Sequence, residues 1–144
     1  MKKSKRLASA LAVALLVCVG PAYPLQDRVD PQAPLEVSMI ALVATPERLN
    51  GKRIRAIGYL DIEFENDALY PHEEDFRDAI SKNGIWLRLS EADRERYKSL
   101  SLSLVIIEGV FFSNGPENEE YSGAIGKITR LERWQSVENS QHQR

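Results

Sequence analysis

Hydrophobic and polar positions alternate most regularly between Lys52 and Glu65, in the run KRIRAIGYLDIEFE. Its even positions are Ile54, Ala56, Gly58, Leu60, Ile62 and Phe64; its odd positions are Arg53, Arg55, Ile57, Tyr59, Asp61, Glu63 and Glu65. A period of two predicts a strand with the even set inward and the odd set mostly outward. The run is long for one flat strand, and Gly58 marks the expected bend or bulge. Asn66-Asp67 predicts a tight turn and Ala68-Leu69-Tyr70 the returning strand, which Pro71 ends.

The remaining elements are shorter. Ser38 is placed to cap a short helix with Met39, Ile40, Leu42 and Val43 as its apolar face, Pro46 limiting it and Asn50-Gly51 turning the chain. HEEDFRDAI, from His72 to Ile80, predicts a helix with three acids at its start and Phe76 and Ile80 on one face. Ile85, Leu87 and Leu89 alternate as a strand, and Ser90 caps a helix over Glu91–Leu100. Leu102–Phe112 is apolar in both phases, as suits a strand buried on both sides or bulged at Gly109. An acidic loop follows from Asn114 to Glu120, and a last strand runs from Tyr121 to Trp134.

A long bent strand, a hairpin return, a strand, a helix and two further strands is the order of an OB-like five-stranded barrel. Glycines inside long strands let a small barrel turn its corners. An open α+β antiparallel sheet with helices on one face is the alternative, and the helix at 72–80 is the element that a plain barrel does not account for.

The stretches VSMIALVATPERLNGKRIRAIGYLDIEFENDALY (37–70), HEEDF (72–76), KNGIWLRL (82–89) and VIIEGVF (105–111) resemble small exported bacterial proteins of unassigned function. ERLNGKRIRAIGYL also resembles the opening strand of OB-type domains. The resemblance covers most of the expected domain and implies a family and a fold, but no activity and no functional residues.

The first residues predict export. Lys2, Lys3, Lys5 and Arg6 precede an apolar run from Leu7 to Val19, the length of a signal-peptide core and shorter than a membrane span. Small residues Gly20 and Ala22 place cleavage near residue 22. The chain is therefore expected to be periplasmic or secreted, with no stable membrane anchor after cleavage. Cys18, the only cysteine, follows Val17 rather than the small residue that lipid attachment requires, so it is read as part of the discarded segment. Residues 23–36, with Pro24, Pro31 and Pro34, are expected to be a flexible linker, 37–134 the domain, and 135–144 a disordered tail.

Charge narrows the partners. After residue 22 the chain carries 15 basic and 21 acidic side chains, a net charge of −6. That sign opposes nucleic-acid binding and suits a basic partner. Only His72 and His142 are present, without zinc spacing, nucleotide-binding glycines or a serine-nucleophile motif, so no metal, cofactor or catalytic residue is assigned. The candidate site is a binding patch on the outward phase: Tyr59, Asp61, Glu63 and Glu65, joined by Trp86 and Arg88 from the neighbouring strand. Aromatic residues beside acids on a sheet face suit recognition, and OB barrels bind through their second and third strands. The same three carboxylates, about 7 Å apart in sequence along a strand, leave a cell-wall or glycan hydrolase as the alternative. The leading expectation is a non-enzymatic extracytoplasmic module recognising a protein or envelope ligand; an immunity protein or an assembly subunit is a further form.

Overall fold

The computed structural model describes residues 33–63 and 66–135. The expected signal peptide, most of the expected linker and tail residues 136–144 lie outside them. The elements are β1 (Leu35–Glu36), α1 (Met39–Ala44), α2 (Pro46–Leu49), β2 (Arg53–Glu63), β3 (Asn66–Tyr70), α3 (Glu73–Arg77), β4 (Ile85–Leu87), α4 (Glu91–Tyr97), β5 (Ser103–Phe112) and β6 (Ala124–Arg133).

The strands follow one another as β1-β2-β3-β4-β6-β5, and β5 returns to β2. That last pairing closes five strands into a barrel and leaves β1 as an extra strand, parallel to β2 through Leu35–Ile54 and Glu36–Arg55. Counted from β2, the barrel order is first, second, third, fifth, fourth, with α4 between the third and fourth strands, so the barrel is OB-like and the open sheet is excluded.

The even phase of β2 fills the barrel as its pattern dictates. Ile54, Ala56, Leu60 and Ile62 meet Leu69, Ile85, Leu87, Val105, Ile107, Phe111 and Ile125 in one buried cluster. Met39 and Leu42 cap it from α1, and Tyr97 and Leu100 pack on it from the α4 side. Both predicted caps form: the Ser38 hydroxyl accepts the Ala41 N–H at 3.1 Å, and the Ser90 hydroxyl accepts the Asp93 N–H at 3.1 Å. α4 is pinned to β3 by Arg94, which donates through Nε and Nη2 to the fully buried carboxylate of Asp67, the shortest contact being 2.6 Å.

Two glycines explain how the sheet closes. β2 pairs with β5 from Arg53 to Leu60 and with β3 from Tyr59 to Glu63. Gly58 sits where it begins to serve both, and a Cβ there would lie 2.7 Å from Leu69 Cγ and 2.8 Å from the Tyr70 carbonyl oxygen. At Gly109 the β5–β6 register shifts, which is the predicted bulge.

Four expectations are corrected. Asn66 and Asp67 belong to β3 rather than to a turn, because Glu63 pairs directly with Asn66. The helix expected over 72–80 is a five-residue turn of helix: Ala79 adopts φ 53°, which ends it and leaves Ile80 exposed rather than on a face with Phe76. The last two residues of the expected linker form β1, held by the register to β2 and by the Val37 N–H donating to the Arg55 carbonyl at 2.9 Å. The odd phase of β2 is not uniformly outward, as described next.

Candidate functional site

The outer face expected to carry recognition is sealed. Tyr59 is only 8% exposed and Asp61 only 2%. Tyr59, Ala68, Tyr70 and Tyr121 form a second buried cluster on the outside of the barrel, with Phe76 and Trp86 packed against it. Phe76 stands with its ring 5.8 Å from Tyr59 and 6.0 Å from Tyr70, and Trp86 stands 5.3 Å from Tyr121. The physical cause is the segment between β3 and β4: it carries Phe76 back across the strands and converts a solvated face into an interior. Burial raises the phenol pKa values of Tyr59, Tyr70 and Tyr121 above the ordinary 10. The negative charge of Asp61 adds to each of these shifts.

The six predicted site residues therefore separate. Tyr59 and Trp86 come together, but as packing, with Asp61 buried near the phenols. Glu63 ends β2 opposite Asn66; its side chain and all of Glu65 lie outside the described residues. Arg88 is engaged elsewhere. It donates through Nε and Nη2 to the two carboxylate oxygens of Glu117 at 2.9 and 3.1 Å and lies 4.6 Å above the Phe112 ring. That fork holds the turn over Pro116–Glu119 against the barrel and pulls the Glu117 carboxyl pKa down.

What the fold leaves open lies beside the sealed face. Along one edge of β2, β1 stops at Arg55 and β3 begins at Tyr59. The gap is a groove of about 700 Å³. Its floor is Ala56 and Ile57, one wall is the β1–α1 junction from Val37 to Ile40, the other is Pro71 and His72, and Ile106 and Trp134 extend it. A notch of about 200 Å³ between α1 and α3 continues it past Ile40, Pro71 and His72 to Asp75 and Asn83. Part of its apolar lining is open to solvent: Ile40 is 65% exposed, and Ile57 and Trp134 are 38% exposed each. Leu104, whose carbonyl accepts the Trp134 N–H at 2.8 Å, is exposed beside them.

Charge is confined to the rim. Arg55 donates to Glu36 at 3.0 Å and to Glu108 at 2.9 Å. Arg130 also reaches Glu108, at 3.4 Å, and Arg53 stands 3.6 Å from it. Burial pushes the Glu108 carboxyl pKa up, but these guanidinium bonds outweigh it and hold the group below its ordinary range. The network fixes Arg55 at the groove mouth with its charge already answered. At the other end His72 Nδ1 lies 3.3 Å from Asp75.

Three signals pointed to the groove without revealing it. Ile57 is an isoleucine in the outward phase of β2. Ile40, expected on the apolar face of α1, instead stands off the Met39–Leu42–Val43 stripe that packs on the core and is exposed. Trp134 closes the last strand at the edge of a polar tail. None of these meets the others until the register of the barrel is known.

Fold and surface define an OB-like barrel whose usual ligand face is covered by aromatic packing and whose open apolar surface lies at an interrupted strand edge. Comparison with protein-family models, with curated proteins and with solved structures finds no match for this chain.

Proposed function

We propose that this protein is a non-enzymatic binding module that acts outside the cytoplasm and recognises a protein or envelope ligand through the groove over Ala56 and Ile57. The observation that carries the reading is the groove itself. Exposed apolar side chains from three separate segments, Ile40 on α1, Ile57 on β2 and Trp134 after β6, converge on one concavity, whose volume falls within the roughly 300–1,000 Å³ of ligand sites. Contiguous exposed apolar surface of this kind costs solubility and is kept where something covers it. An immunity protein or an assembly subunit would use such a surface in the same way.

The hydrolase alternative has less behind it. Of Asp61, Glu63 and Glu65, the one whose side chain is described, Asp61, is shut away from any polysaccharide. The test is binding of an apolar fluorescent dye, anilinonaphthalene sulfonate, to the native protein. Ile40→Asp and Ile57→Asp should each abolish the dye signal while leaving the thermal midpoint within a few degrees of wild type. A signal indifferent to both substitutions would remove the groove as the site.

A further inference from the structure

We infer that the occupant of the groove is an extended segment of a partner protein, which pairs through its main chain with Ile57 on the open edge of β2. This rests on the groove being the binding site. Backbone parity carries the argument. The Leu60 carbonyl accepts the Leu102 N–H at 2.7 Å and the Lys52 carbonyl accepts the Phe111 N–H at 3.0 Å, so the even residues of β2 direct their backbone groups toward β5. The Arg55 carbonyl accepts the Val37 N–H at 2.9 Å, so the odd residues direct theirs toward the β1 and β3 side. The ladder to β1 covers Ile54 and Arg55, and the ladder to β3 begins at Tyr59. Ile57 therefore turns its N–H and C=O into the groove floor, where no strand among the described residues pairs with it on that edge.

A donor and an acceptor side by side on an apolar floor select the class of ligand. A peptide residue in extended conformation exchanges two hydrogen bonds with such a residue, as in an antiparallel pair, and places its flanking side chains in the pockets on either side. An acyl chain fits the apolar walls but leaves both backbone groups of Ile57 facing hydrocarbon, which is unfavourable. A fatty-acid carboxylate also finds the cation at the rim, Arg55, already bound by Glu36 and Glu108. The gap from Ala56 to Gly58 spans about 10 Å of strand, so the contact is short, one residue deep, with the partner chain leaving over β1 and β3.

Charge indicates what flanks that residue. Glu36 stands at one end of the groove and Asp75 at the other, on a chain with a net charge of −6 after residue 22. Glu36 is already bound by Arg55, so the acid left to a partner is Asp75, and a lysine or arginine on that side of the apolar anchor complements it.

The test uses the exported protein purified from the cell envelope, in a Trp86→Phe background so that Trp134 alone reports. Random dodecapeptides are selected against it, and the tightest is synthesised with N-methyl groups at successive positions. The expected peptide carries an apolar residue with Lys or Arg on one flank and shifts Trp134 emission. One N-methyl position should weaken it about tenfold or more, its two neighbours should leave it nearly unchanged, and Ile57→Asp and Ile40→Asp should each abolish the shift. Binding indifferent to N-methylation at every position overturns the strand pairing, as does a Trp134 shift with laurate where no peptide gives one; both leave the groove standing as a site. No shift with peptide or with laurate overturns the groove reading itself.

Discussion

Substituting Gly58 by alanine tests the closure of the barrel at its tightest point. The added methyl would stand 2.7 Å from Leu69 Cγ, 3.0 Å from Leu69 Cδ2 and 2.8 Å from the Tyr70 carbonyl oxygen. Leu69 is fully buried and has little room to turn aside, and the carbonyl belongs to the β3 backbone that pairs with Tyr59. Relief therefore requires β2 and β3 to part where β2 takes up β3 without releasing β5. Overpacking of this kind costs about 1–3 kcal/mol, and a backbone contact places Gly58→Ala in the upper part of that range. For a domain of this size, a loss of about 2–3 kcal/mol lowers Tm by roughly 10–20 °C. Gly51→Ala is the control. Gly51 has φ +74° but nothing within 4 Å of a Cβ, so its cost is conformational alone, roughly 1–2 kcal/mol. Circular dichroism during heating and urea titration at 25 °C give both numbers, and an unchanged urea m-value shows that the native surface is retained. A Gly58→Ala Tm within about 2 °C of wild type would refute the closeness of β2 and β3 at this position, and with it the account of how the barrel closes.

Four further outcomes follow from the same geometry. Phe111→Ala empties the largest fully buried side chain in the barrel and should cost about 3–5 kcal/mol by urea unfolding; a smaller loss would mean the interior collapses to fill the space. Glu108 and Glu117 both have carboxyl pKa values held below the ordinary 4.5, so they contribute stability that is present above that value and lost as pH falls through their lower folded values. The urea midpoint should drop in acid, and Glu108→Gln should flatten the drop. Tyr59, Tyr70 and Tyr121 have phenol pKa values raised above 10, so their contribution is full below pH 10 and fades as pH rises through the higher folded values. Absorbance at 295 nm should show these phenols ionising together with unfolding, and separate, ordinary titrations would contradict the sealed face. Arg94→Met leaves the buried Asp67 carboxylate without its forked partner and should lower the urea midpoint, while adding Asp67→Leu should recover much of the loss.

The barrel was legible because its signals are local. The even phase of β2, the two serine caps, the bulge glycine and the helix between the third and fourth strands are each readable within a dozen residues, and each agrees with the closed order of strands. The surface was not legible, for two physical reasons. Alternation tells which side chains share a face of β2; it does not tell whether another segment covers that face. Phe76 does cover it, and Tyr59, Asp61 and Trp86 change from a recognition patch into packing. The second reason is the edge. A strand read in isolation has two equivalent edges, and only the register shows that β1 stops at Arg55 while β3 starts at Tyr59. The two effects are linked through one connection. Pro71 ends β3 just past Tyr70, so β3 stops short of Ile57, and the chain beyond it becomes both the cover over the tyrosines and, through His72, the far wall of the groove. The segment that closes the face where OB barrels bind is thus the same one that leaves a strand edge open next to it, so the accessible apolar surface of this barrel lies at a sheet edge and not on a sheet face.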